Sequence, residues 1–217
     1  MANIFSSSIG KKFVMSISGA FLLVFLLLHA SINLAAVASE EAYNMACHFM
    51  DTNILIQIMV PVLALGFVVH IVYAIILTLH NMKARPVKYA VGNQAEATFA
   101  SRNMFVLGLI VLGFLTIHLS HFWAKMQLQH FVGGTATENP YLLVKTTLSN
   151  PANAIMYLVW IWALWFHLSH GFWSAFQTLG ASNQIWIPRL KVASYIYATI
   201  IAVSFTIVPL YFVLFAK

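Results

Sequence analysis

The letters HLSH occur twice in the chain, in TIHLSHFWAK with His118 and His121 and in WFHLSHGFWSAF with His167 and His170. Histidines three apart are neighbours on one helical face. Each copy therefore offers ligands to a metal, ligands to a haem, or one ligand and one bystander. Three more histidines, His29, His70 and His80, lie in equally apolar surroundings. Which chemistry these rings perform depends on the elements that carry them.

Those elements are membrane-spanning helices. Of the 217 residues 61% are hydrophobic and 7% charged, too apolar for an ordinary soluble domain. A bilayer core of about 30 Å needs about 20 apolar residues per helix, and five runs qualify. They cover residues 13–37, 54–82, 103–124, 151–180 and 192–216. The predicted fold class is all-α, a polytopic five-helix bundle, with 1–217 forming a single transmembrane domain. Pro151 suits a first helical turn, Pro188 falls in the connection to the fifth span, and Pro61 and Pro209 kink the spans that hold them.

Lys11, Lys12, Lys83, Arg85, Lys88, Arg102, Arg189 and Lys191 fall on one side of a five-span model, and Lys125, Lys145 and Lys217 on the other. The positive-inside rule makes the N-terminus cytoplasmic. The net charge of +6 reflects this asymmetry, and no nucleic-acid partner is needed to explain it. AAVAS, ending at Ser39, is a passable cleavage site, but the apolar run before it is nearly twice a normal signal core and carries His29 and Asn33. Cys47 is the sole cysteine, which excludes an internal disulfide and any multi-cysteine metal site.

Polar residues at membrane depth are costly and mark functional positions, although a single one often only bridges helices. Here four spans of five carry a histidine: His29, His70, His118 and His167. At about 1.5 Å of rise per residue, His29 and His118 lie about 10 Å from the outer ends of their spans, and His70 and His167 about 25 Å. An outer pair and an inner pair fit two bis-histidine haems stacked across the bilayer. His121 matches the depth of His29 less well than His118 does. His170 and His167 match His70 equally, and His80 sits at the basic interface. Gly19, Gly66, Gly108, Gly113 and Gly171 lie on the histidine-bearing spans, where they make room for a macrocycle or for close helix packing. Membrane desaturases gather histidine boxes at the cytoplasmic ends of helices, whereas the two HLSH copies lie at opposite depths. The competing reading is a transporter whose histidines form a proton or metal-ion path.

FLLLHASIN, EAYNMACHFMD, VVHIVYAIIL, FLTIHLS and LSNPANAIMYLV leading to FHLSHGFWSAFQTLG together resemble the cytochrome b subunit of succinate dehydrogenase and fumarate reductase, in its single-anchor b558 form with five helices and two haems b. The likeness spans nearly the whole chain. It implies His29 and His118 as axial ligands of the outer haem iron and His70 and His167 as those of the inner, with His167 rather than His170 as the ligand. It implies Ser16 and Arg102 as haem propionate contacts. Leu77 and Thr178 stand where family members can carry a propionate-binding lysine. It implies flavoprotein and iron–sulfur subunits as partners, a membrane quinone, menaquinone, as substrate, and a bacterial cytoplasmic membrane as the location. Dehydrogenase activity would reside in the partners.

Quinone reduction takes up two protons with two electrons, so the site needs a proton donor and acceptor. Asp51 stands at the family's quinol-site acid, with His48 beside it in HFMD. The plainer reading makes Asp51 the N-cap of the second span.

Overall fold

The computed structural model describes residues 7–84 and 98–215. Arg85, Lys88 and Lys217 of the charge count, and the predicted end of the fifth span at 216, lie outside the described residues. Among the described residues the chain is helical, without strands.

α1 (Ser8–Ala38) opens where the Ser7 hydroxyl accepts from the Gly10 N–H, five residues before the predicted start. Ser39 ends α1 and caps α2 (Glu40–Thr52), its hydroxyl accepting from Ala42 N–H, and Glu40 and Glu41 lie in the first turn where the helix dipole favours acids. α3 (Ile54–Lys83) is capped by Asn53, whose side chain accepts from the N–H groups of Leu55 and Ile56. Asp51 is therefore inside α2 and caps nothing, which removes the plainer reading of that carboxylate. After the short α4 (Phe99–Arg102), α5 (Met104–His118) runs into a π-helical stretch, Leu119–Trp123, and α6 (Ala124–Met126), completing the third crossing. α7 (Leu128–Val132) and α8 (Pro140–Leu148) follow. α9 (Pro151–Thr178) starts at a proline behind the Asn150 cap. α10 (Trp186–Leu214) begins six residues earlier than predicted, so Pro188 lies in its first turn and not in the connection; at that point a missing N–H disturbs no intrahelical bond.

Among the described residues five helices, Ser8–Ala38, Ile54–Lys83, Met104–Met126, Pro151–Thr178 and Trp186–Leu214, are long and apolar enough to cross a membrane. Lys11, Lys12, Lys83, Arg102, Arg189 and Lys191 stand at one end of the bundle, and Lys125 and Lys145 at the other. α2, α7 and α8 lie at that second end.

α1 packs against α3 on one side and α9 and α10 on the other, while α5 packs against α9. The diagonal partners, α1 with α5 and α3 with α9, share no extensive backbone contact. α10 carries no histidine and closes the bundle through Ser194, Ala198 and Ala202, small residues at every fourth position that let backbones approach. Ser194 Oγ donates to the Ser169 carbonyl at 2.8 Å, and Ala30, Leu164, Leu168, Ala198 and Ile201 form one buried cluster there. α3 has no buried residue over its length and packs chiefly on α1 and α2.

Candidate haem sites and the outer polar cluster

The histidines meet across the diagonals. The His29 and His118 rings are 5.7 Å apart, centre to centre, with planes at 88°. The His70 and His167 rings are 6.5 Å apart at 67°. Within the helices as they form, His29 and His118 lie roughly 12–14 Å from the end that carries α2 and α8, and His70 and His167 roughly 24 Å. The structure thus brings together the two pairs expected from depth.

A metal–imidazole bond is about 2.0–2.1 Å, and with the ring centre about 1.1 Å behind the nitrogen, one metal between two opposed imidazoles sets the centres roughly 6.3 Å apart. Both observed separations lie close to that value, and ring planes sharing one ligation axis can take any mutual angle. Nδ1 of His118, of His167 and of His170 is buried without a hydrogen-bond partner, so each of these rings has unspent coordinating or donor capacity, and this feature does not separate His167 from His170. Among the described residues no three His, Cys, Asp or Glu side chains gather as a metal cluster. Two ligands are too few for a bare ion, which needs four or more, but suffice for a haem, whose macrocycle brings four of its own. The donor set fits haem.

Glycines flank the inner pair. A Cβ on Gly19 would lie 3.4 Å from His70 Cε1, and one on Gly108 3.7 Å from His167 Cε1. Both residues keep side-chain bulk away from the rings, in the manner of a cradle. Gly66 serves packing instead, since its Cβ would meet the Phe21 ring at 2.8 Å, and Gly171 faces Met104. Gly113 faces open space.

Ser18 is a contact that sequence reasoning missed. Its hydroxyl donates to the Met15 carbonyl at 3.0 Å, leaving the oxygen to accept from His70 Nδ1, 3.4 Å away. That tautomer leaves Nε2 with its lone pair free for a metal. The clue was its position, two residues after Ser16 and beside Gly19. Asn33 does not do the same for His29: its Nδ2 donates to the His29 carbonyl at 2.8 Å and lies 3.4 Å from Nδ1 and 3.5 Å from Nε2, and an amide N–H can only donate to the ring, so it does not select the tautomer with a free Nε2. Phe25 stacks on the same ring at 5.2 Å.

The two HLSH copies separate in their second members. His121 Nδ1 pairs with the Tyr157 hydroxyl at 3.2 Å. The π-helical stretch accounts for the divergence: at about 4.4 residues per turn, three residues sweep less angle than in an α-helix, so His118 and His121 point further apart. His170 packs edge-on against Trp173 at 4.9 Å, with Lys191 over the same indole at 5.2 Å. Ser16 is buried on α1, and Arg102 is exposed at the end of α4.

At the opposite end Asp51 is part of a polar cluster. His130 Nε2 stands 4.0 Å from Asp51 Oδ1, and His48 lies one turn before Asp51 on α2. Burial raises the Asp51 carboxyl above its ordinary range, while the charges of His130 and His48 pull it back. Such a group holds a proton nearer neutral pH than a free carboxylate does.

The fold and the paired rings define a multi-pass helical membrane protein with two facing histidine pairs in its core. No family model and no solved structure matches the chain. A curated relative does: the succinate dehydrogenase cytochrome b558 subunit of Bacillus subtilis (strain 168), 27% identical over 192 residues that cover 86% of each protein. The chain is similar to that subunit over most of its length.

Proposed function

We propose that this chain is the di-haem membrane anchor of a succinate:quinone oxidoreductase, carrying electrons between an iron–sulfur subunit and a membrane quinone, menaquinone. The observation that carries the reading is the pair of histidine couples that meet at two depths, with ring separations near the value for a bis-imidazole site. His29 with His118 hold the outer haem b and His70 with His167 the inner one. Bound there, the haems supply one-electron carriers spaced across the bilayer.

The protein's own part is to hold and orient. Ser18 sets the His70 ring, and Gly19 and Gly108 keep the space at the inner pair clear. The basic end of the bundle, which the positive-inside rule places in the cytoplasm, receives the iron–sulfur and flavoprotein partners. Ser16 and Arg102 lie towards that end, available to haem propionates. Asp51, with His48 beside it, exchanges protons with quinone at the outer end.

The test is a dithionite-reduced spectrum of the purified membrane protein, with haem counted per chain. Two haems with b-type alpha bands are expected. His29→Ala or His118→Ala should remove the outer haem, and His70→Ala or His167→Ala the inner one. A spectrum without alpha bands, in protein produced with ample haem, would overturn the proposal. So would a His167→Ala protein that keeps both haems while His170→Ala loses one, as far as the inner ligand is concerned.

A further inference from the structure

We infer that His130 is the relay residue that passes protons between outer water and Asp51. This rests on the proposed placement of quinone chemistry at Asp51. His130 is far from Asp51 in sequence, but the fold builds their proximity. Gln127 Nε2 donates to Gln57 Oε1 at 2.8 Å, and Gln57 Nε2 donates to the Met50 carbonyl at 2.9 Å. These two bonds tie the start of α7 to the residue next to Asp51. Gly133, at φ 69°, ends α7 in the left-handed cap that favours glycine. Held this way, the imidazole of His130 reaches to 4.0 Å from Asp51 Oδ1, and a small side-chain rotation closes that gap to a hydrogen bond.

Exposure gives the pair a direction. The His130 side chain is 45% exposed and that of Asp51 34%, so the ring is the more water-facing of the two. The charges that bear on Asp51 are those of His130 and His48; Cys47, one turn earlier on α2, is buried and its thiol is pushed up to about 11, so it stays neutral. His48 shares a helix with Asp51, whereas His130 approaches from a separate element and has the ion-pair geometry.

The proton steps balance as follows. Quinone reduction takes up two electrons, supplied by the succinate-oxidising partners, and two protons. For each proton, the Asp51 carboxyl gives its O–H hydrogen to a quinone oxygen and becomes a carboxylate. The His130 imidazolium then donates from Nε2 to that carboxylate, and the neutral ring takes a proton from outer water. Quinol oxidation runs the same steps in reverse.

The experiment measures quinone reduction across pH in the intact complex, with haem content and thermal stability recorded for every variant. His130→Ala should lower kcat about tenfold, with KM for quinone and both haems unchanged, a modest share of what general acid–base groups contribute. Added imidazole should restore most of the rate, because a small base can occupy the vacated space. His130→Gln keeps the size of the side chain without its proton exchange and should be slowed alike, without rescue by imidazole, if the alanine variant folds poorly. Asp51→Asn should also be slow and should not respond to imidazole. Unchanged kcat in both His130 variants, or a loss in a folded His130→Ala that imidazole does not relieve, overturns the relay while leaving Asp51 in place. Normal turnover in Asp51→Asn overturns the quinone placement and the relay together.

Discussion

His121 Nδ1 lies 3.2 Å from the Tyr157 hydroxyl, and the two rings stack 6.1 Å apart at 22°. Tyr157 is 6% exposed, so His121 satisfies a buried phenol and its Nδ1 is engaged there. His121→Phe should therefore keep two haems per chain and lower stability by about 1–3 kcal/mol, the cost of a buried hydroxyl left without a partner. Adding Tyr157→Phe should recover most of that loss, since both polar groups are then gone. Thermal denaturation and haem counting check both statements. Loss of a haem in His121→Phe would give that ring a place in the outer site.

The glycines make a prediction selective by site. Gly19 and Gly108 point at the inner rings, whereas Gly113 faces open space. Gly19→Leu and Gly108→Leu should reduce the inner haem and leave the outer one, seen as loss of one component in a redox titration. Gly113→Ala should retain both haems and gain up to about 1 kcal/mol of helix stability. Equal loss of both haems in the two leucine variants would mean that these glycines serve helix packing in general.

The spans and the histidine pairing were legible in the sequence because both rest on simple rulers, the thickness of a bilayer and the rise of a helix. The preference for His118 over His121 rests on the same ruler. The π-helical stretch that separates the two rings was not legible, because about one extra residue per turn over five residues leaves no mark on so short a pattern. Ser18 was passed over because a serine next to Gly19 reads as packing until His70 is known to lie opposite. His130 and Gln57 were hidden differently. Their partners come from segments far apart in sequence that only the folding of α2 and α7 over one end of the bundle brings together.

Cys47 gives a test that involves no cofactor. The thiol is 6% exposed, and burial pushes it up to about 11, while the hydrogen bond with Tyr43 pulls it slightly the other way. A raised thiol pKa means less thiolate at a given pH, so at pH 8 roughly one molecule in a thousand carries the reactive form. Maleimide labelling of the folded protein should be slow at pH 8, faster as pH rises towards 11, and rapid in denaturant. Fast labelling at pH 8 in the folded protein would show that α2 opens away from α1 and α8.

The last prediction concerns the membrane potential. The basic end of the bundle and the Asp51–His130 cluster lie at opposite ends of the crossings. If electrons enter at the basic cytoplasmic end and protons join quinone at the outer end, negative charge must move outward across most of the bilayer for each succinate oxidised. A charge crossing 100 mV exchanges about 2.3 kcal/mol, enough to alter the rate of a reaction whose chemical driving force is small. A potential that is negative inside favours outward movement of electrons, so an uncoupler should slow succinate oxidation by a low-potential quinone in closed vesicles. It should leave the same reaction unchanged in detergent, where no potential exists. Asp51→Asn should lower quinone turnover in both settings while both haems remain, because it removes an ionisable group and touches no ligand. An uncoupler without effect in well-sealed vesicles, with Asp51→Asn fully active, would move quinone chemistry to the cytoplasmic end beside the inner histidine pair, where no charge need cross the membrane.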